Sequence, residues 1–478
     1  MFNLPWADML VIGHWLICLV LTPVIVLRKE RPATCLAWLA IVFLAPWVGL
    51  FAYLLVGEAR LGRRRIIQRR ESRNEFESSG RPLVEAAHRI DPFLSEEGQI
   101  VVHMAERIGG RPLVLGNHVH FIADWDVAID WLVRDIDEAE DHVHLLFYIF
   151  ADDEVGRRVA DALVRARRRG VACRLLADAV GSRGLFKRLA GELQAEKVEV
   201  YPVLPVKLLR RPFARLDLRN HRKLAVIDGA VAYTGSQNII EPSYGRRRAG
   251  NWVDILARVT GPTVAELHAV FLEDWFHETD ELLEPKTLAA RNTAGGAATV
   301  QVVPTGPDLP TQRFRDLIVG AIFQARHRVT ITSPYFVPDE ATMLALRLAA
   351  QGGLDVRLII PHRDDHPLVR AAGEFYCELL MQFGVKVYLF RDGLLHAKTL
   401  VIDEDLAMFG SANYDIRSFQ LNFELNMLMH GREVVGDLAR LQQRYLDGSE
   451  EAAPGIWPSP SLGGRVRRNL AKLASPLL

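Results

Sequence analysis

The stretch Asn220-His221-Arg222-Lys223-Leu224-Ala225-Val226-Ile227-Asp228-Gly229 has a second version far down the chain, Leu395-His396-Ala397-Lys398-Thr399-Leu400-Val401-Ile402-Asp403. Both fit His-x-Lys-x4-Asp. One such match arises by chance in a chain of this size on the order of one time in a hundred, and two at equivalent places in a repeat are far rarer. Gly235-Ser236-Gln237-Asn238 trails the first and Gly410-Ser411-Ala412-Asn413 the second, with a His-to-Asn offset of 17 residues in each. Each unit reads as a hairpin: a strand from the histidine, a turn at Asp228-Gly229 or Asp403-Glu404-Asp405, a returning strand, then a Gly-Ser turn.

Alternate residues of a strand project from the same face, so His221 points with Lys223 and His396 with Lys398. That pairing suits phosphodiester chemistry. One imidazole attacks phosphorus while the other protonates the leaving oxygen. The two lysines, with Asn238, Asn413, Ser236 and Ser411, hold the non-bridging oxygens of the phosphate. Lysine is sparse in this chain beside arginine, which adds weight to its presence in both copies. The candidate catalytic set is His221, Lys223, Asp228, His396, Lys398 and Asp403. Within it the aspartates, seven residues beyond their histidines, are assigned to organising the hairpin turns. A histidine nucleophile also needs a partner on its other nitrogen to fix tautomer and orientation. Asp254 and Glu424, each shortly after the Asn of its half, are the candidates.

No metal site is expected. The densest group of potential ligands, His362, Asp364, Asp365 and His366, reads as a polar loop after a strand. Two histidines and two lysines already supply the acid, base and charge, so no cofactor is called for. The four cysteines (Cys18, Cys35, Cys173, Cys377) are scattered without a CxxC pair and suggest neither disulfide nor zinc.

Outward from the motifs the chain repeats itself. Helix 126–138, a β-rich run at 142–150, amphipathic helix 154–169 and strand 171–176 are matched by helix 312–326, strand 328–333, helix 340–350 and strand 354–360. Strands alternating with amphipathic helices argue for α/β layers. A repeat of well over a hundred residues is a duplicated domain. The stretch around Ala294-Gly295-Gly296-Ala297 reads as the linker between the copies.

The N-terminus has a different character. Residues 9–27 are almost all apolar and about twenty long, enough to cross roughly 30 Å of hydrocarbon. A second apolar run, 34–56, follows the polar break Arg28-Lys29-Glu30-Arg31. No basic leader or cleavage site marks the first run as a signal peptide. The pair therefore reads as a transmembrane hairpin with both ends on one side. The first eight residues hold no Lys or Arg, whereas Arg60, Arg63, Arg64, Arg65, Arg69 and Arg70 follow the second run. The bulk of the protein is thus expected in the cytoplasm. Further arginines flank the first motif (Arg210, Arg211, Arg215, Arg219, Arg222, Arg246, Arg247, Arg248) and read as a basic surface for anionic lipid. Formal net charge is zero, with 58 basic and 58 acidic residues, so no global field points to nucleic acid.

Paired His-x-Lys-x4-Asp motifs with trailing Gly-Ser-x-Asn resemble the signature of the phospholipase D superfamily. Within it the chain is similar to bacterial cardiolipin synthases with two N-terminal spans. The carriers are Thr34-Cys-Leu-Ala-Trp38, Pro46-Trp-Val-Gly49, Tyr53-Leu-Leu-Val-Gly-Glu58, Tyr148-Ile-Phe150, Arg219-Asn-His-Arg-Lys223, Leu395-His-Ala-Lys398, Arg417-Ser-Phe419 and Ser475-Pro-Leu-Leu478. Gly235-Ser236 stands where many relatives carry Gly-Gly, which adds a hydroxyl near the phosphate site.

The resemblance implies an α/β fold: a transmembrane helical hairpin (1–57) and a basic connector (58–110), then two pseudo-symmetric phospholipase D-like α/β sandwich domains. These domains are 111–285 and 301–447, joined by a linker (286–300) and followed by a C-terminal tail (448–478), basic and amphipathic over 466–478. It implies transfer between two phosphatidylglycerol molecules in the bacterial inner membrane, giving cardiolipin and glycerol. The intermediate is a phosphatidyl-histidine, with His221 the nucleophile and His396 the acid, then base. The rival inside the superfamily is a hydrolase that resolves the intermediate with water. A nuclease predicts a basic groove with stacking aromatics and no lipid-spanning segment.

Overall fold

The two motif hairpins sit in a single hydrogen-bonded sheet. A computed structural model describes residues 6–28, 32–57, 94–109, 111–205, 218–245, 250–283, 295–307, 313–363, 367–453 and 455–457. The arginines at 60–70, 210, 211, 215 and 246–248, the acidic part of the loop after His362 and the basic tail 466–478 lie outside those residues. The chain divides into two compact units, residues 1–66 with 206–218, and residues 67–205 with 219–478.

In the larger unit the strands run in chain order β1 (Leu113–Ile122), β2 (His142–Phe147), β3 (Ala172–Asp178), β4 (Glu199–Val203), β5 (Lys223–Ile227), β6 (Val231–Gly235), β7 (Trp252–Val253) and β8 (Leu256–Thr260). The second set is β9 (Ala298–Thr305), β10 (Arg328–Thr332), β11 (Phe336–Val337), β12 (Asp355–Pro361), β13 (Lys386–Phe390), β14 (Leu394–Leu395), β15 (Thr399–Ile402), β16 (Leu406–Gly410), β17 (Tyr414–Asp415), β18 (Glu424–His430) and β19 (Ser449–Glu451). Outward from an antiparallel β1–β9 seam the first set pairs in the order β1-β8-β6-β5-β2-β3-β4. The second set pairs as β9-β18-β16-β15-β10-β12-β13, with β19 added at the edge. The order is the same in both, position for position.

The helices form where apolar periodicity and capping agree. Asp124, Asp153 and Asp339 each accept a hydrogen bond from a backbone N–H at the start of Trp125–Glu138, Glu154–Arg168 and Glu340–Gln351, at 3.1, 2.9 and 3.1 Å. Their apolar stripes bury against the outer faces of the two strand sets. Thr263–Thr279 and Arg432–Asp447 instead cover a core drawn from both sets, including Leu146, Val259, Val300, Phe409 and Leu425. Residues 96–109 of the connector are helical, β9 begins within the stretch read as linker, and 449–451 of the tail form β19.

In the smaller unit, helix α1 (Trp6–Arg28) is long and apolar enough to cross a membrane from Asp8 to Arg28. The second apolar run is not one helix. It breaks into α2 (Pro32–Leu44) and α3 (Pro46–Val56) at Ala45, whose φ of −145° and ψ of 73° leave the helical region. Proline supplies the reason: it has no N–H to donate, and its ring disfavours a helical residue before it.

Candidate functional site

Each motif hairpin is pinned by its aspartate. Asp228 and Asp403 take left-handed backbone angles, with φ of 52° and 51°, at the turn. From there the Asp228 carboxylate accepts hydrogen bonds from the backbone N–H groups of Glu140, Asp141 and His142 (2.8–2.9 Å). Asp403 does the same with Arg326, His327 and Arg328 (2.7–2.9 Å). The motif strand is thereby clamped to the start of β2 in one set and of β10 in the other, away from the histidines.

At the opposite end of each motif the two halves meet through backbone. His221 N–H donates to the Phe423 carbonyl at 2.8 Å, and His396 N–H donates to the Val253 carbonyl at 2.8 Å. A parallel bridge joins Asn220 to Phe423, and β14 pairs in parallel with β7. The residue after each accepting carbonyl is a carboxylate, Glu424 or Asp254. Each carboxylate therefore reaches the histidine of the other half. Asp254 Oδ1 is 2.7 Å from His396 Nδ1, and Glu424 Oε1 is 3.2 Å from His221 Nδ1. Both carboxylates are buried. The amide of Asn422 also lies 3.1 Å from His221 Nδ1. With Nδ1 occupied in both rings, Nε2 is the nitrogen left for a substrate.

The serines have a different task from the one expected. Ser236 Oγ donates to Asp254 and Ser411 Oγ donates to Glu424, both at 2.6 Å. Each serine also accepts from the next backbone N–H, Ile255 at 3.0 Å and Leu425 at 2.9 Å. Their hydroxyl protons are thus committed to the carboxylates that orient the histidines, and are not offered to a phosphate. Ser236 follows the strand directly because Gly235, at φ 154°, lets the turn close. A Cβ there would stand 2.3 Å from the Ile255 carbonyl.

Lys223 and Lys398 are buried, and each ammonium donates back to the carbonyl of its own motif histidine, at 2.7 and 2.5 Å. Burial pulls Lys223 down to about 8, against the attraction of Glu424 and Asp254, and pulls Lys398 well below its ordinary value. Burial, then the charge of Lys398, brings His396 down to about 4, so its imidazole is neutral at pH 7. Lys223 contributes to that depression, which puts groups of both halves within one electrostatic neighbourhood. Asn238 Oδ1 accepts from Ile149 N–H at 3.1 Å, and Asn413 Oδ1 is buried with no hydrogen-bond partner among the described residues.

Three site residues escape the motif reading. The Tyr148 ring packs 4.2 Å from that of His221 and 5.4 Å from the Lys223 ammonium, a cation–π arrangement. The rings of Trp252 and His396 meet edge-on with centroids 4.6 Å apart. Asn422 has been described; the adjacency of Trp252 to Asp254, and of Asn422 to Glu424, was the available signal. Arg222, read above as part of a lipid-facing basic surface, is buried and paired with Asp274 at 2.7 Å. It braces the junction of the halves by donating to the carbonyls of Glu424 and Thr305.

Elsewhere, His142, His144 and His268 cluster in the interior. His144 Nδ1 and His268 Nε2 are 2.8 Å apart, and burial lowers both rings' basicity. The Arg174 guanidinium, 3.2 Å from His144, opposes a cation there.

The family description "Cardiolipin synthase, PLD-like domain" matches residues 132–275 and 318–445, the segments that carry the two motifs. Cardiolipin synthase A of Pectobacterium carotovorum subsp. carotovorum (strain PC1) is 34% identical over 481 residues, covering 98% of each chain. The chain belongs to the cardiolipin synthase family. Cardiolipin synthase A of Edwardsiella ictaluri (strain 93-146) is 33% identical over 479 residues, again covering 98% of each chain. As a member of this branch of the phospholipase D superfamily the protein is a phosphatidyltransferase. Among solved structures, phosphatidylserine synthase from Haemophilus influenzae Rd KW20 shares the fold, with a TM-score of 0.60 at 13% identity, covering 79% of this chain and all of that one.

Proposed function

We propose that the protein makes cardiolipin from two phosphatidylglycerol molecules through a covalent phosphatidyl-histidine. The observation that carries the mechanism is the pair of crossed histidine–carboxylate contacts flanked by two buried lysines. His221 Nε2 attacks phosphorus, the bond from phosphorus to the glycerol headgroup oxygen breaks, and His396 delivers the proton that oxygen needs. The terminal hydroxyl of a second phosphatidylglycerol then gives its proton to His396 and attacks phosphorus, and the phosphorus–nitrogen bond breaks. Lys223, Lys398, Asn238 and Asn413 stabilise charge on the five-coordinate phosphorus. The two strand sets act as halves of a duplicated domain, about 111–285 and 301–447. The enzyme is held at the inner membrane by α1, with its catalytic residues on the cytoplasmic side where the arginines at 60–70 meet anionic headgroups.

Purified protein incubated with labelled phosphatidylglycerol is expected to yield cardiolipin and glycerol in equal amounts. Phosphatidic acid in place of cardiolipin overturns transfer in favour of hydrolysis.

Proton accounting supplies a second expectation. His396 is neutral at pH 7 in the protein alone, because burial and Lys398 lower it to about 4. A phosphodiester anion beside it raises that value, since an opposite charge favours the protonated ring. Between pH 4 and the raised value, the complex holds a proton that the free enzyme lacks. Titration with a non-hydrolysable phosphodiester in buffers of different ionisation enthalpy is therefore expected to show proton uptake at pH 7 that falls in His396→Ala, the remainder coming from Lys223 and Lys398, which burial also lowers.

A further inference from the structure

We propose that α2 and α3 form a re-entrant wedge that enters and leaves the bilayer on one face, leaving α1 as the crossing helix among the described residues. The proposal rests on the membrane reading given above. A straight helix over 34–56 would be roughly 34 Å long and would span roughly 30 Å of hydrocarbon. The observed pieces have 13 and 11 residues, roughly 20 and 16 Å, and neither reaches across.

They do not continue one another either. The rings of Trp38 and Tyr53 meet edge-on at 5.1 Å, although on a straight helix their Cα atoms would lie roughly 22 Å apart. Gly49 closes against the backbone of Val42, so tightly that a Cβ would come within 2.8 Å of the Val42 Cα. The two helices therefore fold back on each other, and both pack on α1 around Ile17, Cys18, Leu21, Val42 and Tyr53.

The polarity of the fold suits a wedge. Exposed Phe43, Leu44, Trp47 and Val48 surround the tip, while Arg28-Lys29-Glu30-Arg31 and Glu58-Ala-Arg60 lie at the open ends in sequence. The tip pairs part of its backbone within the turn, as a segment in hydrocarbon requires. Ala45 N–H donates to the Ile41 carbonyl and Gly49 N–H to the Ala45 carbonyl, and Pro46 has no N–H. Charge asymmetry agrees. A two-span hairpin would put Arg28, Lys29 and Arg31 on the face opposite Arg60 to Arg70. The wedge gathers all of them on one face and leaves the arginine-free and lysine-free residues 1–8 on the other.

Single cysteines introduced as Asn3→Cys, Arg28→Cys and Glu58→Cys in the full chain test this with a membrane-impermeant maleimide on spheroplasts. Retained cardiolipin formation checks the fold of each variant, and the parent chain sets the background. Asn3→Cys is expected to label in intact spheroplasts, and Arg28→Cys and Glu58→Cys only after permeabilisation. Arg28→Cys and Glu58→Cys on different faces overturns the wedge in favour of two spans. Both on the outer face overturns the orientation. Release of the protein by alkaline carbonate overturns the membrane reading itself, which the labelling pattern alone does not address.

Discussion

His221→Ala and His396→Ala are each expected to abolish cardiolipin formation from phosphatidylglycerol, but to fail at different steps. Removing the nucleophile leaves phosphorus with nothing to bond to, and no choice of leaving group repairs that. Removing the general acid leaves a poor alkoxide leaving group unprotonated, a loss on the order of 10²–10⁴-fold. A substrate whose leaving group is already acidic, such as a nitrophenyl phosphodiester, bypasses the missing acid. With it, His396→Ala is expected to release a burst of nitrophenol and to accumulate a phosphorylated His221, detectable by mass spectrometry after rapid quench. His221→Ala is expected to give neither. A burst from His221→Ala in place of His396→Ala would exchange the two roles.

Asp254→Asn and Glu424→Gln are expected to lower kcat by about 10²-fold or more with KM nearly unchanged, because each side chain acts through a histidine and not on the lipid. The amide keeps the shape but loses the acceptor charge that holds Nδ1–H and leaves Nε2 available. The diagnostic part is which variant resembles which. Asp254 lies in the half that contains His221, yet its oxygen is 2.7 Å from His396. Asp254→Asn should therefore behave as a weakened His396→Ala and be rescued by the acidic leaving group. Glu424→Gln should behave as a weakened His221→Ala and not be rescued. The opposite pattern would mean that each carboxylate serves the histidine of its own half.

That crossing shows where sequence reasoning reached and where it stopped. The hairpins, their capped helices and the repeated order were legible because they are local: spacing 2 for the His–Lys pair, apolar periodicity for the helices, and Asp at each turn. Asp254 and Glu424 were legible as candidates, since a carboxylate soon after each Asn is also a local signal. Whose partner each one is depends on the bridges from Asn220 to Phe423 and from β14 to β7, which join residues far apart in the chain. The serines were assigned to phosphate because a hydroxyl beside a motif is chemically plausible there, and only the fold shows the closer carboxylate. Thr263–Thr279 escaped notice for another reason. It is buried on nearly every side, including Glu266, His268 and Asp274, so it has no polar face to give it a period. At the N-terminus, composition identified apolar runs correctly, but Pro46 decided whether the second was one helix or two.

The exchange of carboxylates also bears on how the protein comes into being. Synthesis proceeds from the N-terminus, so the first motif emerges while Phe423 and Glu424 are still untranslated. Until they arrive, His221 has neither the backbone acceptor nor the acidic neighbour that it holds in the finished fold, and His396 does not exist. Under the mechanism proposed above, a ribosome-bound fragment that lacks these groups is expected to be chemically inert. On that mechanism, phosphodiester cleavage is expected to begin only when the last strands close on the first, so that no half-built enzyme meets phospholipid.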